Sequence, residues 1–263
     1  MYFGTIASGS SGNCLYVGTD TTHVLVDAGV SCKRILAGLS SFGIDGKDIQ
    51  AILVTHEHSD HISGIGVLSR KFHIPVYATC KTVGEIQRCR SLGDLSKSSF
   101  FAIEPGRPFN IGNIRVDAFS IPHDAADPVS YTFESEGSKI GIATDLGCFD
   151  DMIVHSLENS DLLYLEANHD VRMLQAGPYP YPLKQRILGS RGHFCNEMTG
   201  KLVSLLRSEH LKHVILGHLS KENNYPDLAL QTVLLEAFSE PEERQQPDVF
   251  VAPRDEASAL VTL

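Results

Sequence analysis

The run Thr55-His56-Glu57-His58-Ser59-Asp60-His61 follows directly on the apolar stretch Ala51-Ile52-Leu53-Val54. Histidines and carboxylates crowded together where a buried strand ends are costly unless a cation compensates them. Residues two apart in an extended segment point the same way, so His56 and His58 can grip one ion. A turn into a helix near His61 then lets Asp60 and His61 face a second ion, with Glu57 pointing away. A His-rich surface loop is the plain alternative, and the position straight after a buried strand makes it the poorer one.

Three single residues elsewhere follow β-like runs in the same manner. His123 comes after Ile114–Pro122, Asp145 after Lys139–Thr144 and His218 after His213–Gly217. Strand ends are where α/β folds build sites. Taken alone, each has an ordinary explanation as a turn former, a cap or a polar loop residue. Added to His56, His58, Asp60 and His61 they complete two ligand sets, and an aspartate at 145 has the two oxygens needed to bridge a pair of cations.

β-like runs are expected at Tyr2–Ala7, Cys14–Gly18, Val24–Asp27, Ala51–Thr55, Val76–Ala78, Ile114–Ser120, Val129–Glu134, Lys139–Thr144, Leu162–Glu166, His213–Gly217 and Asp248–Ala252. Helical periodicity covers Cys32–Phe42, His61–Phe72, Thr82–Cys89, Asn196–Ser208 (with Asn196 as N-cap) and Asp227–Phe238. Strands in pairs, then strands alternating with helices, predict a layered α/β protein. Gly177–Pro182 is expected as a Pro-rich loop and Pro241–Pro247 as a polar turn, with all 263 residues in one domain.

Lys and Arg number 22 against 32 Asp and Glu, a net charge of −10, which disfavours nonspecific polyanion binding by the whole surface but leaves a local basic site open. Lys184, Arg186 and Arg191, leading into His193, are such a site, although three cations on a solvated loop are also common. The six cysteines form no C-x-x-C pair, and the N-terminal MYFGTIASGSSGNC is not a secretion signal. The expectation is a cytoplasmic protein with no membrane segment.

The order H-x-H-x-D-H, then His, Asp and His resembles the metallo-β-lactamase superfamily over the whole chain. That resemblance implies an αββα four-layer sandwich with a dinuclear metal site. It implies His56, His58 and His123 on one ion, Asp60, His61 and His218 on the other, and Asp145 bridging. His56 and His58 are both intact, unlike the usual pattern of the diiron redox branch. The ligand types suit zinc, manganese or iron.

His193 lies before a helix start, where free N–H groups favour an anion. The spacing from His193 to His218 is similar to the RNase Z-like nucleases, which implies that His193 faces the scissile phosphate while Glu166 and His169 hold it in register, a purely structural His169 being the equal alternative. The runs Ile6–Cys14, Val26–Ile35 and Gly217–Asn224 resemble the YycJ (WalJ) family. This resemblance implies a bacterial metal-dependent nuclease attacking DNA from the 5′ end. Water activated by two cations is the nucleophile, and Asp60, Asp145 and His193 are the catalytic residues. Ser10, Ser11 and Asn13, His169, the basic residues 184, 186 and 191, and Lys221 and Asn223 with Asn224 are the substrate-binding candidates. A hydrolase of a lactone, thioester or cyclic phosphodiester, an RNA-processing nuclease and a metal-stabilised regulatory protein are the competing readings. The sequence leaves the oligomeric state open.

Overall fold

The computed structural model describes residues 1–239 and 246–263, so residues 241–245 of the expected polar turn lie outside the described part. The chain divides into two compact units. The first holds Met1–Ser120, Ala125–Gly137 and Pro253–Leu263, and the second holds Ile121–Asp124 and Ser138–Ala252.

In the first unit, β1 (Tyr2–Ala7), β2 (Cys14–Gly18) and β3 (His23–Val26) pair antiparallel, and the C-terminal strand Val261–Thr262 adds to the free side of β1. From β3 the sheet turns parallel through β4 (Ala51–Leu53), β5 (Val76–Thr79) and β6 (Phe100–Ile103). Parallel neighbours need crossovers, and helices supply them. Helix α1 (Cys32–Ser41) starts where Ser31 caps the Arg34 N–H, buries Ile35 and Leu39, and is followed by Gly43 at φ 77°.

The helix expected over 61–72 is two pieces, α2 (Ser59–Ile62) and α3 (Ile65–Phe72). The break is at Gly64, whose N–H donates to the Ala28 carbonyl at 2.7 Å and where a Cβ would lie 2.1 Å from the Val30 oxygen. Helix α4 (Cys80–Arg88) follows β5. Strands β7 (Phe109–Ile111), β8 (Ile114–Ser120) and β9 (Val129–Ser135) form an antiparallel run. The alternation along β8 buries Ile114, Val116 and Ala118 and leaves Arg115 outside, opposite Glu134 at 2.9 Å.

In the second unit β10 (Ser138–Ala143), β11 (Leu162–Glu166), β12 (His213–Gly217) and β13 (Asp248–Val251) run parallel in that order. The helices are α5 (Asp151–Leu157), α6 (Val171–Ala176), α7 (Tyr181–Leu188), α8 (Asn196–Leu206) and α9 (Pro226–Ala237). Leu162, Leu163, Tyr164 and Leu165 are all buried, as a parallel strand covered on both faces requires.

Two local expectations need correction. The Pro-rich loop ends at Pro180, because Pro182 sits in the first turn of α7 where a missing N–H costs nothing. Lys184 and Arg186 are therefore helical. Asn196 is the first residue of α8 and Cys195 its N-cap; the Asn196 side chain instead accepts from Asn224 Nδ2 at 2.8 Å.

Candidate functional site

The first unit gathers its titratable residues at the carboxyl ends of β3 and β4. His56 and His61 are wholly buried, and the His56 ring centroid lies 4.5 Å from that of His58 and 4.1 Å from that of His61. Asp27, at φ 60°, closes β3 and organises the group. One oxygen accepts the Thr55 N–H at 2.8 Å, and the other accepts the Thr55 hydroxyl at 2.9 Å and lies 2.8 Å from His61 Nδ1.

Thr55 Oγ1 also lies 3.0 Å from His56 Nδ1. Glu57 points elsewhere, as expected, and accepts the Ala126 N–H at 2.7 Å. The Asp60 segment is pinned from the other side. Its carbonyl accepts the Asn13 N–H at 2.7 Å, and at Gly29 a Cβ would lie 1.6 Å from that same carbonyl oxygen. The Asn13 side chain reaches His61 Nε2 at 3.1 Å and Asp60 Oδ2 at 3.4 Å, while Ser10 and Ser11 stand exposed at the loop tip.

The second unit gathers residues after β10, β11 and β12. Asp145 (φ 61°) and His218 (φ 54°) both hold left-handed backbone, a conformation that collects at functional sites. Glu166, fully buried, receives four partners. Its Oε1 lies 2.7 Å from His193 Nδ1 and 2.8 Å from His218 Nδ1, while Oε2 accepts the N–H groups of Leu146 and Phe194 at 2.9 and 3.2 Å.

Asp145 Oδ1 lies 3.5 Å from both His193 Nδ1 and His218 Nε2 and 3.9 Å from His123 Nε2. Asp145, Glu166, His193 and His218 offer ligand atoms all within 4.8 Å of one another. His123 Nδ1 sits 3.1 Å from the Gly192 carbonyl oxygen.

Burial pushes the Glu166 carboxyl up, but His193 and His218 outweigh it and hold its pKa well below the usual carboxylate range. Burial likewise pushes His193 down, yet Glu166 and Asp145 leave it above its ordinary value. His123 is lowered, burial winning over Asp145.

The substrate candidates fall into several environments. Lys184 Nζ donates to the Gln175 carbonyl, Arg186 pairs with Asp124, and Arg191 donates to the His123 carbonyl. Lys221 is exposed. Asn223 is fully buried and its N–H donates to Ser220 Oγ, while Asn224 ties Ala167, Asn168 and Asn196 together. His169 is buried and pushed down to about 4, mainly by that burial. Sequence reasoning missed Asp27 as a partner of His61 and Asn168 as the donor to the His218 carbonyl at 2.9 Å. Asp27 carried a usable signal, a charge closing an apolar run as Asp145 does.

The sequence matches the beta-lactamase superfamily domain over residues 22–218. It is 40% identical over 233 residues to Exodeoxyribonuclease YycJ of Bacillus anthracis, covering 89% of this chain and 88% of that one. The chain belongs to the metallo-β-lactamase superfamily, as a hydrolase of the YycJ/WalJ type. Exodeoxyribonuclease WalJ of Streptococcus pneumoniae serotype 2 is also 40% identical, over 88% of this chain and 86% of its own. The metallo-beta-lactamase fold protein YhfI of Bacillus subtilis superposes with a TM-score of 0.70 at 17% identity, over 98% of both chains. The expected αββα sandwich is thus the fold of this chain.

The histidines fit divalent metal ions by the chemistry of their second nitrogens. Nδ1 of His61 faces Asp27, Nδ1 of His123 faces the Gly192 carbonyl and Nδ1 of His218 faces Glu166. An acceptor at Nδ1 favours the proton there and puts the acceptor lone pair on Nε2, the atom a cation would take. Among the described residues no helix is long and apolar enough to cross a membrane.

Proposed function

We propose that this protein is a metal-dependent exonuclease that hydrolyses DNA from the 5′ end, in the cytoplasm and as one functional domain. The observation that carries the metal part is that Nδ1 of His61, His123 and His218 each faces an acceptor, which favours the Nδ1–H tautomer. The relatives named exodeoxyribonuclease, at 40% identity, support the substrate.

His56, His58, Asp60, His61, His123, Asp145 and His218 would hold two divalent cations, zinc, manganese or iron. When bound, the cations make water a nucleophile at neutral pH and neutralise charge growing on the phosphate oxygens. Asp60 and Asp145 also stand ready to take the proton of the attacking water. His193 keeps Nδ1 on Glu166 and directs Nε2 at the phosphate. The ionised Glu166 favours the protonated form of His193, so His193 stabilises a phosphate oxygen and gives its proton to the leaving oxygen. The exposed Ser10, Ser11 and Lys221 contact the backbone of the bound strand.

The test is to strip the protein with a chelator, restore zinc, manganese or iron in turn, and offer matched DNA, RNA and a small aryl phosphodiester. Metal-restored release of nucleotides from DNA, well ahead of RNA, supports this reading. Turnover of the small ester alone would replace it with a small-substrate hydrolase.

A further inference from the structure

The segment between α7 and α8 makes contacts that the proposed chemistry does not use. Arg191 Nε and Nη2 both donate to the His123 carbonyl oxygen, at 3.0 and 2.7 Å. The next residue, Gly192, presents its carbonyl to His123 Nδ1 at 3.1 Å. One short strap therefore grips His123 by its backbone and by its ring.

The strap is itself fixed. The Gly192 N–H donates to the Gly189 carbonyl at 2.8 Å and the His193 N–H to the Ile187 carbonyl at 3.0 Å. A Cβ at Gly192 would lie 2.1 Å from the Ile187 oxygen, and one at Gly147 would lie 2.3 Å from the Ser190 carbonyl carbon. Arg186, one turn earlier, pairs with Asp124, whose other carboxylate oxygen is 3.4 Å from His123 Nε2.

We propose that Arg191 is a positioning residue that sets His123 as a metal ligand, by holding the His123 carbonyl so that the ring stays on the Gly192 oxygen as the Nδ1–H tautomer. A guanidinium is always charged and offers a rigid fork, so two donors on one carbonyl oxygen fix the backbone more firmly than one flexible ammonium. Two of the three guanidinium nitrogens of the exposed Arg191 are thereby engaged by the protein's own backbone. The inference rests on His123 being a ligand, and its test separates the two.

Metal-free wild type, Arg191→Ala, Arg191→Lys and His123→Ala are titrated with zinc against a chromophoric chelator, and the tautomer of His123 is read from imidazole nitrogen NMR, His123→Ala giving the assignment. Arg191→Ala is expected to weaken one zinc site by about 10–100-fold, the usual effect of removing an outer partner, and to turn the pure Nδ1–H signal into a mixture. Arg191→Lys, with one donor in place of two, is expected to recover part of both. It also covers an Arg191→Ala that does not fold: a several-fold weaker zinc site in Arg191→Lys supports the proposal. Wild-type zinc affinity with an unchanged tautomer overturns it. If His123→Ala keeps both zinc sites at wild-type affinity, the ligand assignment itself falls, and the positioning role with it.

Discussion

Glu166 Oε1 lies 2.7 Å from His193 Nδ1, and the carboxylate making this contact is wholly buried. The same oxygen is 2.8 Å from Nδ1 of His218. One buried acid thus orients a proposed metal ligand and the histidine proposed to meet the phosphate. Two neighbouring imidazoles with different tasks share one anchor.

That sharing predicts different outcomes for two substitutions. His193→Ala should cut turnover by roughly 10²–10⁴-fold, the range for a lost general acid, with metal content unchanged. Glu166→Gln should lower turnover and also weaken metal binding, because it loosens His218. Elemental analysis beside kcat separates them, and metal loss in His193→Ala would contradict its assigned role.

Asp145 sits at φ 61°, a conformation Asn tolerates and Ala does not. Asp145→Asn and Asp145→Ala should both abolish hydrolysis. In metal-free protein, Asp145→Asn should melt close to wild type while Asp145→Ala loses about 1–3 kcal/mol. Equal stability of the two would deny that the backbone there is strained.

Gly29 has no room for a side chain, since a Cβ would fall 1.6 Å from the Asp60 carbonyl oxygen. Gly29→Ala must push the Asp60 segment off Asn13. A loss of roughly 3 kcal/mol or more is expected from overpacking against backbone, together with weaker metal binding. Chemical denaturation and zinc titration check both halves.

His169 gives a pH prediction. Burial holds it neutral down to about 4, below its ordinary 6.5. Between those values the unfolded chain takes up a proton that the folded chain refuses, so stability present above about pH 6.5 is lost as the pH falls toward 4. The loss is up to about 3 kcal/mol. Urea melts of metal-free protein at pH 7 and pH 5 should show a smaller difference in His169→Gln than in wild type. An equal difference would place the titration elsewhere.

Much of this architecture was legible in the sequence, for physical reasons. β1, β2, β8, β11 and β12 fall where expected because each is a compact apolar or alternating run between turn residues. β6 and β7 escaped because they are short and half exposed, giving no clear period. Helices α5 and α6 carry weak periodicity and depend on the side chains of Asp150 and Asp170 capping the N–H groups of Ile153 and Met173. In the candidate site, the histidines and aspartates at strand ends were visible one by one. Apart from Glu166 beside His193, their partners were not, because Arg186 meets Asp124, Arg191 meets His123 and Asn168 meets His218 across long stretches of chain. No local pattern records such pairs.

The most direct test of the account uses linear duplex DNA with a 5′-phosphate, labelled at either end, incubated with metal-loaded protein and with Asp145→Asn. Mononucleotides released progressively from the 5′ end by the wild type alone are the expected result. Intact DNA, duplex or single-stranded, under every metal tried would contradict it.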